Sequence, residues 1–393
     1  MALPMLFEQI TLENILSFRK TTVPLRGLNV LIGPNAVGKS NLIEAIGLLQ
    51  AAPTDLNAAI LRLGGVRVVC SLAGPNPSPI AAIQCNGIRS DPLQYRLDFS
   101  EESRGFVIIT ERFNSTSEDL DGNLPVMYFE RTPGSVTFGP GSNVDFRAFK
   151  VGVGVVPATQ SIFALYKSPT DPTPISRVGR DLNAIQIYRE FRTTGNSAAR
   201  TGVSTSARKD HLYDGGDNLA LVLHEMDFNG TGDRVRRYLH RFCDRFDSVK
   251  VRLDGPIART YIQESGLLEP LPSNRLSDGT LKFLSLLAIL LEPEIGPLIC
   301  IEEPEVGLHP EAIQIVAEAL VEASERTQLI VTTHSEALID ALSERPEDIL
   351  VTERDFDNGT QFRRLNSDQL SSWLERYTLG ALWRKGEIGG TRW

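Results

Sequence analysis

The stretch Gly33-Pro34-Asn35-Ala36-Val37-Gly38-Lys39-Ser40 limits what this chain can fold into more than any other. Before it stands an apolar run, Gly27-Leu28-Asn29-Val30-Leu31-Ile32, which reads as a buried strand. After it, Asn41-Leu42-Ile43-Glu44-Ala45-Ile46-Gly47-Leu48-Leu49 places apolar residues at helical spacing. A strand, a glycine-rich turn and a helix aim backbone N–H groups and a helix N-terminus at one point, which suits a phosphate. In such a loop Lys39 reaches the β- and γ-phosphates of a nucleotide, and the Ser40 hydroxyl ligates magnesium.

Two later apolar runs also end in polar residues. Leu298-Ile299-Cys300-Ile301 leads into Glu302-Glu303-Pro304, and Leu329-Ile330-Val331-Thr332-Thr333 leads into His334-Ser335. Each reads as a buried strand, and in a parallel sheet ligands gather at the carboxyl ends of strands. Adjacent carboxylates at a strand end point differently and can divide two tasks. Glu302 is assigned to the metal, and Glu303 to orienting and deprotonating an attacking water. His334 falls at a neighbouring strand end, within reach of a γ-phosphate or that water. A lone histidine is more often structural; its place in an ordered set of motifs singles this one out. Upstream stands Leu276-Ser277-Asp278-Gly279-Thr280, followed by apolar Phe283, Leu284, Leu286, Leu287, Ile289 and Leu290.

In order, the phosphate loop, Leu276–Thr280, the acidic pair, the Gly307-Leu308-His309-Pro310 turn and Thr332–Ser335 resemble the motifs of ATP-binding-cassette (ABC) ATPases. The flavour is RecF/SMC-like rather than that of transporter subunits. Ile10–Arg19 resembles the opening strand of that group, and Glu347–Arg354 and Gly386–Trp393 extend the resemblance into the last third. The branch resembled is that of stand-alone bacterial P-loop ATPases, related to the ATPase part of overcoming-lysogenisation nucleases and phage-defence ATPases.

The resemblance implies an α/β P-loop NTPase of ABC type: a mostly parallel core sheet, a flanking antiparallel layer and an inserted helical subdomain. It implies ATP and Mg2+ as cofactors. Gly33, Pro34, Asn35, Ala36, Val37, Gly38, Lys39, Ser40 and Asn41 would surround the phosphates, with Ser40 and Glu302 on the metal. In the family resembled, the Leu276–Thr280 element opens a helix, which Asp278–Leu291 fits, and Ser277 and the Gly279 backbone would face the γ-phosphate held by a second copy. Lys39, Ser277, Glu303 and His334 would then hydrolyse ATP only in a homodimer closed around two nucleotides. Two positions depart from the family pattern. Glu302 stands where Asp is usual, and its longer arm still reaches a metal. Ala36-Val37 replace a smaller or more glycine-rich pair, which a loop binding through its backbone tolerates. The glutamine that usually follows the first helix is left among Gln84, Gln94 and Gln160.

The gap between motifs sets the organisation. Residues 51–270 are rich in Gly, Pro and Ser and carry no sustained heptads, so no coiled-coil arm is expected. Short strands are expected at Val66–Leu72, Ile80–Gln84, Gln94–Phe99, Gly105–Thr110, Val126–Glu130 and Ser135–Phe138. Helices are expected at Leu182–Phe191 with Asp181 as N-cap, at Leu219–Met226 after Asn218, and over 233–246. The expected domains are 1–180, an N-terminal ATPase lobe; 181–270, an inserted helical subdomain; and 271–393, a C-terminal ATPase lobe. Glu353, Asp355 and Asp357 superficially suit a metal-dependent nuclease. Ile349–Asp355, Asp357-Asn358-Gly359 and Thr360–Leu365 read better as a hairpin, with too little chain after it for a nuclease domain.

No uncharged apolar run is long enough to cross a bilayer, and no basic leader is visible at the start, so a cytoplasmic location without a membrane partner is expected. Cys70, Cys85, Cys243 and Cys300 lack metal-ligand spacing. A net charge of −9 argues against a surface that grips nucleic acid throughout. Arg234, Arg236, Arg237, Arg241 and Arg245, with Lys250 and Arg252, leave two readings open: a solvated amphipathic helix or a DNA-binding patch. Three outputs fit the motifs: a switch for a separately encoded effector such as a nuclease or toxin, a RecF-like DNA clamp, and a transporter motor subunit.

Overall fold

The computed structural model describes residues 5–70, 80–103, 105–117, 126–139, 156–166 and 173–389. The chain divides into two compact units. One comprises Met1–Ile185, Leu350–Arg364 and Gly389–Trp393; the other comprises Gln186–Ile349 and Leu365–Ile388.

The first unit holds strands β1 (Gln9–Ile15), β2 (Phe18–Pro24), β3 (Leu28–Ile32), β4 (Ile80–Ile88), β5 (Asp91–Glu102), β6 (Gly105–Ser115), β7 (Met127–Thr132) and β8 (Ser135–Phe138). Its helices are α1 (Lys39–Ala51), α2 (Leu56–Arg62), α3 (Val66–Val69), α4 (Ile162–Leu165) and α5 (Pro174–Asn183). Late in the chain β16 (Ile349–Asp355) and β17 (Gly359–Arg364) join it, giving the strand order β8-β7-β6-β5-β4-β1-β2-β17-β16-β3. Strands β4 to β8 pair antiparallel in sequence order, which is the expected flanking layer. Its core is aromatic: Phe163 of α4 packs on Tyr95, Phe113 and Phe129 at centroid distances of 5.0, 5.7 and 5.4 Å. Strand β3 is buried along its whole length, and Leu42, Ile43, Ala45, Ile46, Leu48 and Leu49 line the buried face of α1.

The second unit holds β9 (Gln186–Tyr188), β10 (Val203–Ser204), β11 (Phe246–Asp254), β12 (Ile257–Glu264), β13 (Leu271–Pro272), β14 (Leu298–Glu302) and β15 (Gln328–Thr332). Strands β9, β14 and β15 pair parallel, with Ile301 opposite Tyr188 on one side and Glu302 opposite Thr332 on the other. Parallel strands covered on both faces read as unbroken apolar runs, as 298–301 and 329–331 do. A second sheet joins β10, β12 and β11, with β13 on β12. Around these lie α6 (Ala198–Thr201), α7 (Leu219–Phe228), α8 (Gly232–Phe242), α9 (Asp278–Leu290), α10 (Pro310–Ser324), α11 (Glu336–Asp340), α12 (Ser367–Leu374) and α13 (Leu379–Arg384).

Three sequence expectations need correction. The strand expected at Val66–Leu72 is helical over Val66–Val69, and residues 71–72 lie outside the described ones. Gly65, at φ 92°, turns the chain there, and a short apolar run does not by itself distinguish helix from strand. Asp181 caps no helix: it lies in the last turn of α5, which starts at Pro174, and pairs with Arg89 at 2.7 Å. The expected helix 182–191 is replaced by β9, because Ile187 pairs opposite Cys300 in the sheet. The helix expected over 233–246 stops at Phe242, and Phe246 opens β11.

Glu111 is fully buried in β6 and tests how the antiparallel layer is held. It accepts from Tyr95 Oη at 3.0 Å, Ser161 Oγ at 2.5 Å and the Ile162 amide at 2.9 Å. Burial raises its pKa, while those bonds and the Arg131 charge hold it down. Replacing Glu111 by Ala orphans three donors and leaves Arg131 without its counter-charge. It should lower unfolding stability by about 3–5 kcal/mol, the usual result of removing one partner from a buried charged cluster. A urea midpoint equal to wild type would show that the cluster does not hold the layer.

Candidate functional site

The phosphate loop connects β3 to α1 in the first unit. Gly33 has φ 149°, and a Cβ there would strike the Thr352 carbonyl of β16. Gly38 has φ 109°, and a Cβ there would strike the hydroxyls of Ser17 and Thr360. Crowding as well as turn geometry therefore demands glycine at both positions. Ala36 adopts the left-handed region at φ 62°, a strain of roughly 1 kcal/mol for a residue with a Cβ. Lys39 is buried, and its Nζ donates to the Gly33 and Pro34 carbonyls at 2.7 and 2.8 Å, so the ammonium is folded back into its own loop. Asn35, Ala36 and Ser40 are exposed. Asn41 turns to Ser17 Oγ at 2.7 Å, and Thr360 Oγ1 lies 2.7 Å from the same oxygen and also reaches the Val37 carbonyl. Sequence reading missed Ser17, Thr352 and Thr360, because no spacing rule connects them to residue 33.

The second unit assembles the other motifs. Ser277 caps α9, accepting from the Thr280 amide at 3.0 Å. Ser277 and Asp278 are exposed, and the Asp278 and Gly279 amides precede the first helical hydrogen bond. An added Cβ on Gly279 would lie 2.9 Å from the Gly307 carbonyl, so the helix start is seated on the Gly307–Pro310 turn. His309 in that turn caps α10. Arg200 braces the segment before α9: it donates to the Leu276 carbonyl at 2.8 Å, reaches the Thr193 carbonyl and pairs with Asp278.

Glu302 ends β14, and Glu303 follows at φ 45°, its amide on the Thr332 carbonyl at 3.0 Å and its own carbonyl on Lys282 Nζ of α9 at 3.1 Å. Burial lowers the Lys282 pKa, and the Glu305 and Glu303 charges pull it back up. Glu303 Oε1 lies 3.6 Å from His334 Nε2. Glu305, which sequence reading passed over, accepts from Thr333 Oγ1 at 2.6 Å and the His334 amide at 2.9 Å. One carboxylate thereby fixes the backbone that carries the histidine. Its only sequence signal was a third acid after Pro304.

The Ser40 hydroxyl of the first unit and the Glu302 carboxylate of the second are each a hard oxygen donor of the kind magnesium takes. Among the described residues no group of three His, Cys, Asp or Glu side chains could hold a metal. Asp355 is committed to its own turn, accepting from the Asn358 amide at 2.5 Å and Nδ2 at 3.0 Å. Gln84 and Gln94 both donate to Asn86 within the antiparallel layer, and the Gln160 carbonyl accepts from Arg131 at 2.6 Å. Arg234 and Arg241 of the arginine-rich helix are charge-matched, and Arg245 and Arg252 beyond it are paired as well. Arg234 pairs with Glu322, Arg241 with Glu318 at 2.5 Å, Arg245 with Glu264 at 3.3 Å and Arg252 with Glu269 at 3.9 Å.

Fold and motifs together define a P-loop ATPase of ABC type, RecF/SMC/OLD-like. An SMC head in complex with the C-winged helix domain of ScpA superposes at a TM-score of 0.53 and 14% identity, covering 92% of this chain and 99% of that one. The Smc head with an extended coiled coil from Pyrococcus furiosus gives 0.54 at 14% identity, covering 94% and 98%. The family model described as "AAA domain, putative AbiEii toxin, Type IV TA system" matches residues 28–340, and the chain belongs to that family. Among individual proteins it is similar to the Old nuclease of Escherichia phage P2, at 24% identity over 365 residues. That match takes in 84% of this chain but only 57% of the nuclease. RecF of Arthrobacter sp. is 28% identical over 122 residues, 30% of each chain, and RecF of Moorella thermoacetica 50% over 46 residues, 12% of each.

Replacing Glu305 by Ala strands the Thr333 hydroxyl and the His334 amide. It should lower stability by about 1–3 kcal/mol, the range for orphaned partners of a charged hydrogen-bonding group. Thr333→Val, which removes one bond and keeps the volume, should fall between Glu305→Ala and wild type. Equal denaturant midpoints for all three proteins would show that Glu305 does not anchor the histidine loop.

Proposed function

We propose that this chain is an ATP-hydrolysing switch that closes with a second copy around two ATP molecules and opens when the γ-phosphate leaves. The observation that carries the reading is the start of α9. Ser277 and Asp278 stand exposed at a helix N-terminus, seated through Gly279 on the turn that follows the acidic pair. Such an end attracts an anion by its dipole and its unbonded amides. One Leu276–Thr280 element and one phosphate loop per chain make twofold pairing the simplest way to complete two sites.

In this reading Lys39 leaves the Gly33 and Pro34 carbonyls for the β- and γ-phosphates. Ser40 and Glu302 would hold Mg2+, which neutralises charge on the phosphate oxygens when bound. Glu303 takes a proton from water as its oxygen bonds to the γ-phosphorus and the bond to ADP breaks. His334, 3.6 Å from Glu303, orients that carboxylate and the phosphate. The left-handed backbone of Glu303 supports such a role, since strained backbone gathers at working sites.

The setting we propose is bacterial phage defence in the cytoplasm, with a separately encoded nuclease or toxin as effector. It is supported by the Old nuclease relative and by the toxin named in the family description. Among the described residues no helix is long and apolar enough to cross a membrane. The RecF matches favour a DNA clamp as the second reading, and DNA-stimulated ATPase activity would select it.

Glu303→Gln keeps shape and hydrogen bonding but removes the base. Turnover should fall about 10²- to 10⁴-fold, the usual contribution of general base catalysis. ATP and magnesium should then give a stable dimer in light scattering. Near-normal turnover would exclude Glu303 as the base.

Ser277→Arg should abolish hydrolysis while nucleotide binding to the single chain persists, and Lys39→Ala should lose affinity in calorimetry. Mixed together, the two variants should regain partial activity, because one site of the mixed dimer is intact. Full activity of Ser277→Arg alone would sink the composite site.

A further inference from the structure

Glu302, the carboxylate assigned to magnesium, is already paired in this structure. Strand β9 runs parallel to β14, with Tyr188 opposite Ile301, so the next residue, Arg189, emerges beside Glu302 at the same strand end. Arg189 Nε lies 3.4 Å from Glu302 Oε1, with the two side chains 37% and 17% exposed. The Glu302 carboxylate is thus largely withdrawn from water beside a cation that remains half open to it.

The segment carrying Arg189 is held in place. Its amide donates to Asp214 Oδ1 at 2.9 Å. Tyr188 is buried, with its hydroxyl on the Leu212 carbonyl at 3.1 Å, and it stacks on Phe191 at 6.2 Å and 13°. The Arg192 amide bonds the Gly215 carbonyl at 2.9 Å. Phe191 in turn lies under the Lys282 ammonium, 5.7 Å from the ring centroid. That ammonium holds the Glu303 carbonyl at 3.1 Å. The guanidinium is therefore delivered to Glu302 by a braced backbone, on a fixed stem of known reach.

We infer that Arg189 is the resident counter-ion of Glu302 and that a divalent metal must displace it or share the carboxylate with it. Two cations at one partly buried carboxylate repel, and a low local dielectric strengthens the repulsion. The arginine steadies the acidic strand end while metal is absent and raises the metal concentration needed to fill the site. The inference rests on the proposed metal role of Glu302.

Mn2+ serves as the probe, because water-proton relaxation reports it on a slowly tumbling protein. The full chain is titrated with Mn2+ at fixed, saturating AMP-PNP. Arg189→Gln and Arg189→Met should each lower the half-saturating Mn2+ about fivefold, the effect of losing roughly 1 kcal/mol of competing ion pair. Arg189→Lys should stay near wild type. In a Glu302→Gln background the gain should vanish, since there is no carboxylate left to contest. Unchanged or weaker Mn2+ binding in both Arg189→Gln and Arg189→Met, with Glu302→Gln still weakening it, overturns the counter-ion role alone. Wild-type Mn2+ affinity in Glu302→Gln overturns the metal role of Glu302, and the inference with it. Arg189→Met retains the apolar stem, so opposite behaviour of the Gln and Met variants would also overturn it.

Discussion

The first unit depends on a shortage of space. There is no room for a Cβ at Gly33 or Gly38, because the Thr352 carbonyl, Ser17 Oγ and Thr360 Oγ1 already occupy it. Residues 17, 33–38 and 352–360 are far apart in sequence yet close into one packed layer. Strand β17 meets β2 at Gly359 and Phe18, and the Thr360 carbonyl accepts from Thr21 Oγ1 at 2.5 Å. A loop held this tightly presents its amides without further ordering. Ordering a backbone residue costs about 1–2 kcal/mol, so a preformed loop spares a ligand that penalty.

The second unit solves the same problem with side chains. Lys282 joins the signature helix to the Glu303 carbonyl, and Glu305 joins the turn after the acidic pair to Thr333 and His334. Gly279 seats the helix on Gly307, and Arg200 braces the approach to it. Signature helix, acidic pair and histidine loop are thereby one mechanically connected piece. A change felt at the exposed end of α9 has a short covalent and hydrogen-bonded route to Glu303.

Charge is arranged more locally than a net value of −9 suggests. Arg234 and Arg241 of α8 meet Glu322 and Glu318 of α10, and Arg245 and Arg252 meet Glu264 and Glu269. Helix α8 is amphipathic, with Val235, Tyr238 and Leu239 buried. The buried Glu111 cluster, by contrast, orders the antiparallel layer, where Tyr95, Ser161 and Ile162 converge on a single carboxylate.

Local pattern alone determined the phosphate loop, the β14 and β15 runs and the hairpin with Gly359 at its turn. Each of these elements satisfies its own periodicity or turn chemistry within a few residues, so no distant contact was needed to read it. Val66–Val69 and Gln186–Tyr188 went the other way. They are short apolar pieces whose state is decided by what they pack on, and β9 exists because β14 offers it an edge. The same limit hid Arg189, Arg200, Glu305, Ser17 and Thr360. Their significance is a distance to a residue tens or hundreds of positions away. Sequence states which groups are available, and only the folded chain brings a guanidinium to Glu302 or a hydroxyl to Gly38.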